Sequence, residues 1–446
     1  MSSQFLPCLH RMISIFLYVI NSEEISNQLN IYKKTILSNG IKILSETIPY
    51  VKSFSLGFWF NVGSRDENLK NNGISHFIEH MLFKGTQKRS ARKIADEIES
   101  CGGYLNAFTS KEHTCFYGRG LSEHLPKTFN VLADMIQNPS FKPVEIKKEA
   151  GVVIDELCDI EDNPEELIFD KFEEIIYSGN PLSMPIIGTQ KNIKSFSQLD
   201  LFNFIKEKYT ANRLIIAASG SVDHEQIVKL TEKFLLKDLG TSPLKRRYIS
   251  SHALPNRLEI IEKEIQQVHA IIGRTTKGSK EDKRDEAAVL AQLLGEGSSS
   301  RLFQAVRERN GIAYQVNSFL NSFYDISSFG VYLSTNEKMM DKALSIIMKE
   351  FKKLREKRIS ERELKKAKES LKGSFILHLE STTNRMMRIA QSELYFNRIK
   401  HTDEIIKSID AVTSDNILEL SNQLLDENTF IKLIIKSKDA MILSAA

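Results

Sequence analysis

The sequence is poor in cysteine, in long apolar runs and in excess charge of either sign, and each shortage argues against a class of protein. Its four cysteines include no CxxC pair, so we predict neither a disulfide scaffold nor a thiolate zinc site, and a reducing compartment is favoured. The 61 Lys and Arg exceed the 57 Asp and Glu by only four charges, which does not indicate a nucleic-acid binder. No apolar run reaches the roughly 18–20 residues of a membrane-spanning helix, so no stable membrane span is predicted.

The apolar run that comes nearest to this length is MISIFLYVI at residues 12–20, which follows His10 and Arg11. It resembles a short signal-peptide core, but no small-residue cleavage site follows it. An appendage is favoured over a targeting segment or a packed helix, so residues 1–31 are treated as an N-terminal extension. The cysteine usage favours a cytoplasmic location, and this apolar stretch leaves export open.

Length and composition predict a globular chain of about two to four domains, since 446 residues carry 41% hydrophobic and 26% charged residues. A polar stretch with Gly240, Pro243 and Pro255 marks a linker at 239–256. Strand and helix patterns follow in similar order on either side of it, which predicts domains at 32–238 and 257–446. Because the elements show no strict strand–helix–strand rhythm, the predicted class is α+β, with two tandem domains of similar fold.

Local patterns give several elements definite bounds. KILSET and LIIAASG have the length and composition of strands, at Lys42–Thr47 and Leu214–Gly220. Ser90 is a plausible N-cap for a helix over Ala91–Glu99. By the same reasoning Ser75 is the predicted N-cap of a helix over residues 76–83.

That second helix carries the most informative pattern, His76-Phe77-Ile78-Glu79-His80. Residues four apart on a helix share a face, so His76 and His80 can present ring nitrogens to one ion. Imidazole suits zinc, and Glu79 lies close enough to accept a proton from a water that the metal activates. The order His-x-x-Glu-His is the inverzincin signature. Taken alone, the pentapeptide is also compatible with a solvated helix face.

A third ligand must come from another part of the chain. Glu149 and Glu156 lie seven residues apart in EAGVVIDE, two turns along one helix, and therefore share a face. Taken alone, Glu149 and Glu156 are more often interpreted as part of a solvated acidic surface than as metal ligands.

Six ordered stretches together identify a family resemblance. They are GSRDE (63–67), GISHFIEHMLFKGT (73–86), GGYLNAFTSKEHT (102–114), EAGVVIDE (149–156), SSRLFQAVRERNGIAYQV (299–316) and ESTTNRM (380–386). With them the chain resembles the M16 (pitrilysin-type) zinc peptidases, and most closely the branch of mitochondrial processing peptidase β subunits and their bacterial relatives. The resemblance spans roughly residue 32 to the C-terminus and implies two domains that face each other across a cavity.

The resemblance implies a role for each residue of the two motifs. His76, His80 and Glu156 correspond to the zinc ligands, with one zinc per chain. Glu79 corresponds to the general base, and Glu149 to an acidic residue that supports the site from behind the ligands.

The second half has no His-x-x-Glu-His and resembles the family's non-catalytic domain, which completes the substrate site. Arg307 and Tyr314 match a pair that contacts substrate near the scissile bond, where both groups are hydrogen-bond donors. Without the resemblance they are a surface charge and a strand packing residue. The halves either close on each other within one chain or meet in a dimer, and a homodimer is favoured.

Further substrate contacts follow from the same resemblance. Asn106 and Ala107 correspond to an edge strand that pairs with the main chain of an extended or unfolded peptide. Glu166 and Asp170, four apart on one helix face, match two acids that receive an arginine shortly before the cleavage site in processing peptidases. This implies basic, presequence-like substrates, and the competing interpretation is a solvated acidic helix.

Two departures and two alternatives accompany this assignment. Glu296 occupies a position that is usually glycine, and the glycine-rich loop of processing-peptidase α subunits is absent, so the chain is not of that type. The leading hypothesis is a zinc metalloendopeptidase that works in an enclosed chamber, and the resemblance suggests a processing peptidase. The alternatives are a general oligopeptide-degrading peptidase and a non-catalytic scaffold of the same fold.

Overall fold

A computed structural model describes residues 31–235, 238–250, 256–280 and 284–438. Within these ranges the chain forms two β-sheets that are each covered by helices, so the predicted α+β class with two sheets is confirmed. The apolar stretch at 12–20 lies outside the described residues. None of the described helices combines the length and the apolar character that crossing a bilayer requires.

The first sheet has six strands in the order β1-β2-β6-β3-β5-β4. Their bounds are β1 Tyr32–Ile36, β2 Lys42–Thr47, β3 Ser53–Phe60, β4 Tyr104–Thr109, β5 Thr114–Leu121 and β6 Leu214–Gly220. Strand β6 pairs parallel with β2, and the other pairings are antiparallel. Strands β1 and β4 therefore form the two edges.

Eight α-helices lie within the first half of the described chain. They are α1 Ile74–Leu82, α2 Ala91–Glu99, α3 Leu125–Gln137, α4 Pro143–Asp162, α5 Pro164–Ile176, α6 Gln190–Ser195, α7 Gln198–Lys208 and α8 His224–Phe234.

The second sheet has five strands in the order β7-β11-β8-β10-β9. Their bounds are β7 Arg257–Glu262, β8 Val268–Lys277, β9 Ala313–Ser322, β10 Ile326–Thr335 and β11 Ile431–Lys436. Its α-helices are α9 Arg284–Gly295, α10 Glu337–Glu356, α11 Glu361–His378, α12 Thr382–Phe396, α13 Thr402–Ala411 and α14 Ser414–Leu424. A π-helical segment, Phe303–Glu308, lies between α9 and β9.

Each sheet packs its own helices on one face and a single helix from the other half on the opposite face. In β3, Phe58 faces the first-half helices and contacts Phe129, whereas the neighbouring Trp59 packs against Met386 of α12. This alternation is what a pleated strand buried on both faces requires.

The second sheet repeats the arrangement in reverse. Ile272 belongs to the core formed with second-half helices, and its neighbour Ile271 packs in the cluster that contains Phe172 of α5. A Cβ at Gly273 would lie 2.7 Å from the Phe172 ring, so glycine permits the close approach of α5. The exchange of α5 and α12 buries apolar surface between the two halves and holds them together.

Buried ion pairs add to this contact. The Arg65 guanidinium donates to Asp325 of the second half at 2.6 Å and to Glu112 at 2.6 Å, and all three side chains are almost fully buried. Residues 238–250 contain no helix or strand, and Arg246 in this segment binds Asp66 at 2.7 Å. The rest of the predicted linker, residues 251–255, lies outside the described residues.

Most of the predicted elements are confirmed, and one predicted cap is wrong. Strands β2 and β6 and helix α2 have the predicted bounds, and the Ser90 hydroxyl accepts from the Lys93 amide. Helix α1, however, begins at Ile74 with Gly73 as its N-cap, so Ser75 lies within the helix. Gly73 has φ 98°, a left-handed conformation that favours glycine.

Candidate metal centre

Helix α1 carries His76, Glu79 and His80 on its less buried side. Its apolar residues, among them Phe77 and Ile78, are buried in the core of the first half. Burial of one stripe therefore fixes which way the polar stripe points.

Helix α4 supplies the third member of the cluster. The Nε2 atom of His76 lies 3.6 Å from Oε1 of Glu156, and Nε2 of His80 lies 3.5 Å from Oε2 of the same carboxylate. One ligand atom from each of the three residues lies within 4.8 Å of the others. Zinc bonds of about 2.0–2.1 Å at tetrahedral angles place ligand atoms roughly 3.3–3.4 Å apart, so this donor set fits a zinc ion.

His80 is held by a hydrogen bond on its other nitrogen. Its Nδ1 lies 2.9 Å from Glu149 Oε1, and Glu149 in turn accepts from Lys84 Nζ at 2.6 Å. Burial opposes ionisation of Glu149, but the hydrogen bonds from His80 and Lys84 bring the pKa of its carboxyl below the ordinary value. An ionised Glu149 fixes the ring orientation and leaves Nε2 of His80 free for the metal.

His76 is held differently. Burial, together with the nearby His80, lowers the pKa of its imidazole to about 4, so the ring is neutral at physiological pH. A neutral imidazole is the form that binds a metal. Its Nδ1 is buried and has no hydrogen-bond partner among the described residues, so the backbone rather than a side-chain contact sets the position of this ring.

Glu79 lies beside the cluster and is positioned by the edge strand. Its Oε2 accepts a hydrogen bond of 2.6 Å from the hydroxyl of Thr109, the last residue of β4. Burial raises the pKa of the Glu79 carboxyl. Thr109 was not among the predicted site residues, although it ends the strand that carries Asn106 and Ala107.

A cavity of about 800 Å³ opens over these side chains. Besides the cluster, β4 contributes Ala107 and Thr109 to its lining, and α5 contributes Glu166 and Asp170. Helix α5 follows α4 directly after Asn163, so the chain brings these acids to the same side as Glu156. The structure thus gathers the predicted metal, base and acidic residues around one space.

The two acids of α5 differ in their surroundings. Glu166 accepts a hydrogen bond of 2.7 Å from Asn163. Burial raises the pKa of the Asp170 carboxyl, and the neighbouring Lys111 partly offsets this effect.

The outer edge of β4 is free of strand pairing, because β4 pairs only with β5 among the described strands. The Ala107 amide donates to the Asn106 side chain at 2.9 Å, and the Asn106 amide group donates to the Tyr104 hydroxyl. Asn106 thus covers the Ala107 N–H with its own side chain. A peptide strand that pairs with this edge of β4 must replace the hydrogen bond between the Ala107 amide and the Asn106 side chain.

Arg307 and Tyr314 are together but are not part of the metal cavity of this chain. The Arg307 guanidinium lies 5.8 Å from the centre of the Tyr314 ring, and Tyr314 is 72% exposed. The adjacent Gln315 bonds Glu165 of α5 at 2.9 Å. Tyr314 itself is the extra residue of a β-bulge, because Ser334 of β10 pairs with Gln315 and Thr335 pairs with Ala313.

Comparison with family models finds two matches that follow one another along the chain. Residues 42–190 match the insulinase model of peptidase family M16, and residues 195–371 match the model of the M16 inactive domain. The metal cluster and Glu79 all lie within the first match.

Relatives with curated names and solved structures agree with these matches. An uncharacterized zinc protease of Bacillus subtilis is 35% identical over 91% of this chain and 98% of its own length. An uncharacterized zinc protease of Streptomyces coelicolor is 34% identical over 91% of this chain and 90% of its own length. A crystal structure of a protease from Helicobacter pylori has the same fold, with a TM-score of 0.84 and 22% identity over 91% of this chain and 99% of that chain. The chain therefore belongs to peptidase family M16, the family of these zinc proteases.

Proposed function

We propose that this protein is a zinc-dependent endopeptidase that hydrolyses extended peptides. The observation that carries the proposal is the cluster of His76, His80 and Glu156 with Glu79 beside it. A scaffold of the same fold has no need of this complete set, so the set favours catalysis over the scaffold role.

The chemistry divides between the metal and the chain. His76, His80 and Glu156 would hold one zinc ion per chain, which supplies Lewis acidity to activate water and polarise a carbonyl. Glu79 would accept the proton of that water and pass it to the leaving amine, while Thr109 fixes the orientation of the carboxylate. Glu149 would keep the His80 ring in place.

The free edge of β4 supports an extended substrate. A peptide that adds as a further strand uses main-chain hydrogen bonds, which tolerate many sequences and exclude folded domains. Asn106 and Ala107 would then bind substrate backbone beside the metal.

Glu166 and Asp170 favour a substrate with a basic residue. Both line the metal cavity, and two carboxylates that converge on a guanidinium give charge-assisted hydrogen bonds. We therefore propose a presequence-like peptide with arginine before the cleavage site as the preferred substrate. The alternative to this arginine preference is that the protein cleaves peptides with and without arginine equally well, as a general oligopeptidase.

A homodimer is the proposed working form. Within one chain Arg307 and Tyr314 lie away from the metal cavity, so a second copy is the natural source of these donors. Facing copies would also enclose the exposed edge of β4, which is otherwise open to aggregation.

Removal and return of zinc test the proposal. Chelation is expected to abolish cleavage of a quenched, arginine-containing peptide, and one equivalent of zinc per chain is expected to restore it. Thermal unfolding of the chelated protein serves as the control for loss of fold. Full cleavage by metal-free, folded protein would contradict the proposal.

A further inference from the structure

Helix α1 carries both histidines and the proposed base, yet its own sequence provides little to hold its first turn. The helix is only nine residues long, a length at which isolated helices are unstable in water. Its N-cap, Gly73, has no side chain to accept from the free amides, and its first turn contains no acidic residue.

Glu67 supplies the missing cap from outside the helix. Its Oε1 accepts from the Ser75 amide at 2.8 Å, and its Oε2 accepts from the Gly73 amide at 2.7 Å and from the Asn72 side chain at 3.0 Å. Glu67 is only 4% exposed. A side-chain carboxyl group at this position satisfies amides that would otherwise be orphaned.

The segment that bears Glu67 is itself fixed to the turn after β4. The Ser64 amide donates to the Ser110 carbonyl at 3.2 Å, and the Arg65 amide donates to the Lys111 carbonyl at 2.8 Å. The buried Arg65 side chain strengthens this attachment through Glu112 of the same turn. Glu67 therefore connects the start of the metal-bearing helix to the strand that carries Thr109.

We infer that Glu67 is a positioning residue for the metal centre, acting through the backbone of the first turn of α1. His76 lies in that turn directly after Ser75, and its Nδ1 has no hydrogen-bond partner among the described residues. The placement of this ligand thus depends on the turn that Glu67 holds. His80, one turn later, has Glu149 as a separate support. The inference rests on the proposed zinc site.

The test compares Glu67→Gln with a matched control, Glu46→Gln. The amide keeps the size of the side chain but replaces one acceptor oxygen with a donor group that faces a backbone N–H. Glu46 is another fully buried carboxylate, bonded to Tyr32 and Arg385 at the opposite side of the first sheet and remote from α1. Cobalt replaces zinc as the probe, because its visible absorption reports the geometry of the ligands.

Glu67→Gln is expected to weaken cobalt binding by roughly 10–100-fold and to change the absorption spectrum. Glu46→Gln is expected to lower thermal stability while leaving both cobalt readouts unchanged. Cobalt affinity and spectrum equal to wild type in folded Glu67→Gln would overturn the inference. So would an equal loss of cobalt affinity in Glu46→Gln, since this would mark a general effect of lost stability.

Glu67→Asp provides the second variant if Glu67→Gln does not fold. This variant keeps the carboxyl group but shortens its reach, so an intermediate cobalt affinity is expected, and wild-type affinity and spectrum would overturn the inference. A wild-type protein that binds neither cobalt nor zinc would instead overturn the proposed function, and the inference with it. The two failures are thus distinguishable.

Discussion

At the scale of single residues, the two histidines of the proposed zinc site are held in different ways. The ring of His80 is fixed by Glu149, whereas that of His76 has only its backbone to place it. The carboxylate of Glu79 is fixed from the other side by Thr109. The site is therefore assembled from three separate elements, α1, α4 and β4, each of which contributes one constraint.

His113 gives a prediction on stability at the same scale. It is buried beside the rings of Trp59 and Phe108, and burial, together with the nearby Arg246, lowers the pKa of its imidazole to about 3. A pKa below the ordinary value of 6.5 means that stability is fully present above pH 6.5 and is lost as the pH falls towards 3. His113→Phe removes this proton linkage and keeps an aromatic ring in place.

The measurement is the free energy of unfolding in urea for wild type and His113→Phe between pH 6.5 and 5. Wild type is expected to lose about 1.6 kcal/mol more than the variant over this interval, because the slope rises from half of about 1.4 kcal/mol per pH unit at pH 6.5 to nearly the full value at pH 5. Parallel pH profiles of the two proteins would contradict the assignment of a buried neutral imidazole.

At the scale of elements, helix α5 connects the two halves and also lines the metal cavity. One side of α5 packs Phe172 on the second sheet, while Glu166 and Asp170 reach the cavity. The proposed substrate preference and the contact between the halves thus involve the same thirteen-residue helix.

The acids of α5 give the second prediction. Replacing Glu166 with Gln and Asp170 with Asn is expected to raise KM about tenfold or more for arginine-containing peptides, because two charged hydrogen-bond acceptors are lost. Peptides without arginine should be cleaved as before. Glu174→Gln, on an exposed part of the same helix, is the control. An equal loss on both peptide classes would argue against a role in specificity.

Sequence patterns predict elements well where the information is local and poorly where it comes from distant residues. The apolar runs of β2 and β6 gave their bounds, but their parallel pairing across more than a hundred residues left no local signal. Ser75 was a reasonable N-cap by residue type, yet Glu67 fills that role from outside the helix.

The candidate site was largely predictable because its residues stand in recognisable spacing. His76, Glu79 and His80 lie within one helical turn of one another, and the family resemblance supplied Glu156. Thr109 and Glu67 were missed, because their contacts depend on how β4 and the 63–67 segment pack against α1.

At the scale of the whole molecule, the two halves exchange helices and are joined by buried charge. Helix α12 covers the first sheet, α5 covers the second, and Arg65 pairs with Asp325 between them. These buried contacts between the halves do not favour a large movement of one half away from the other within a chain. It therefore agrees with the proposed homodimer, in which a second copy rather than the same chain would bring Arg307 and Tyr314 to the metal site.

Mixed dimers test this arrangement. A Glu79→Gln chain and a Tyr314→Phe chain are each expected to cleave poorly alone. Isolated heterodimers of the two should regain up to half of the wild-type rate, because one of their two sites combines an intact metal half with an intact Tyr314. No gain over the separate variants would indicate that both residues act within one chain.

The most direct test of the central claim is zinc content and peptide cleavage, measured side by side for wild type and Glu79→Gln. We expect one zinc per chain in both proteins, with cleavage of a quenched presequence-like peptide in wild type and a loss of about a hundredfold or more in the variant. Retained zinc with lost cleavage would identify Glu79 as the proton acceptor of a zinc peptidase. Undiminished cleavage by clean Glu79→Gln protein, or the absence of zinc from active wild type, would contradict the account.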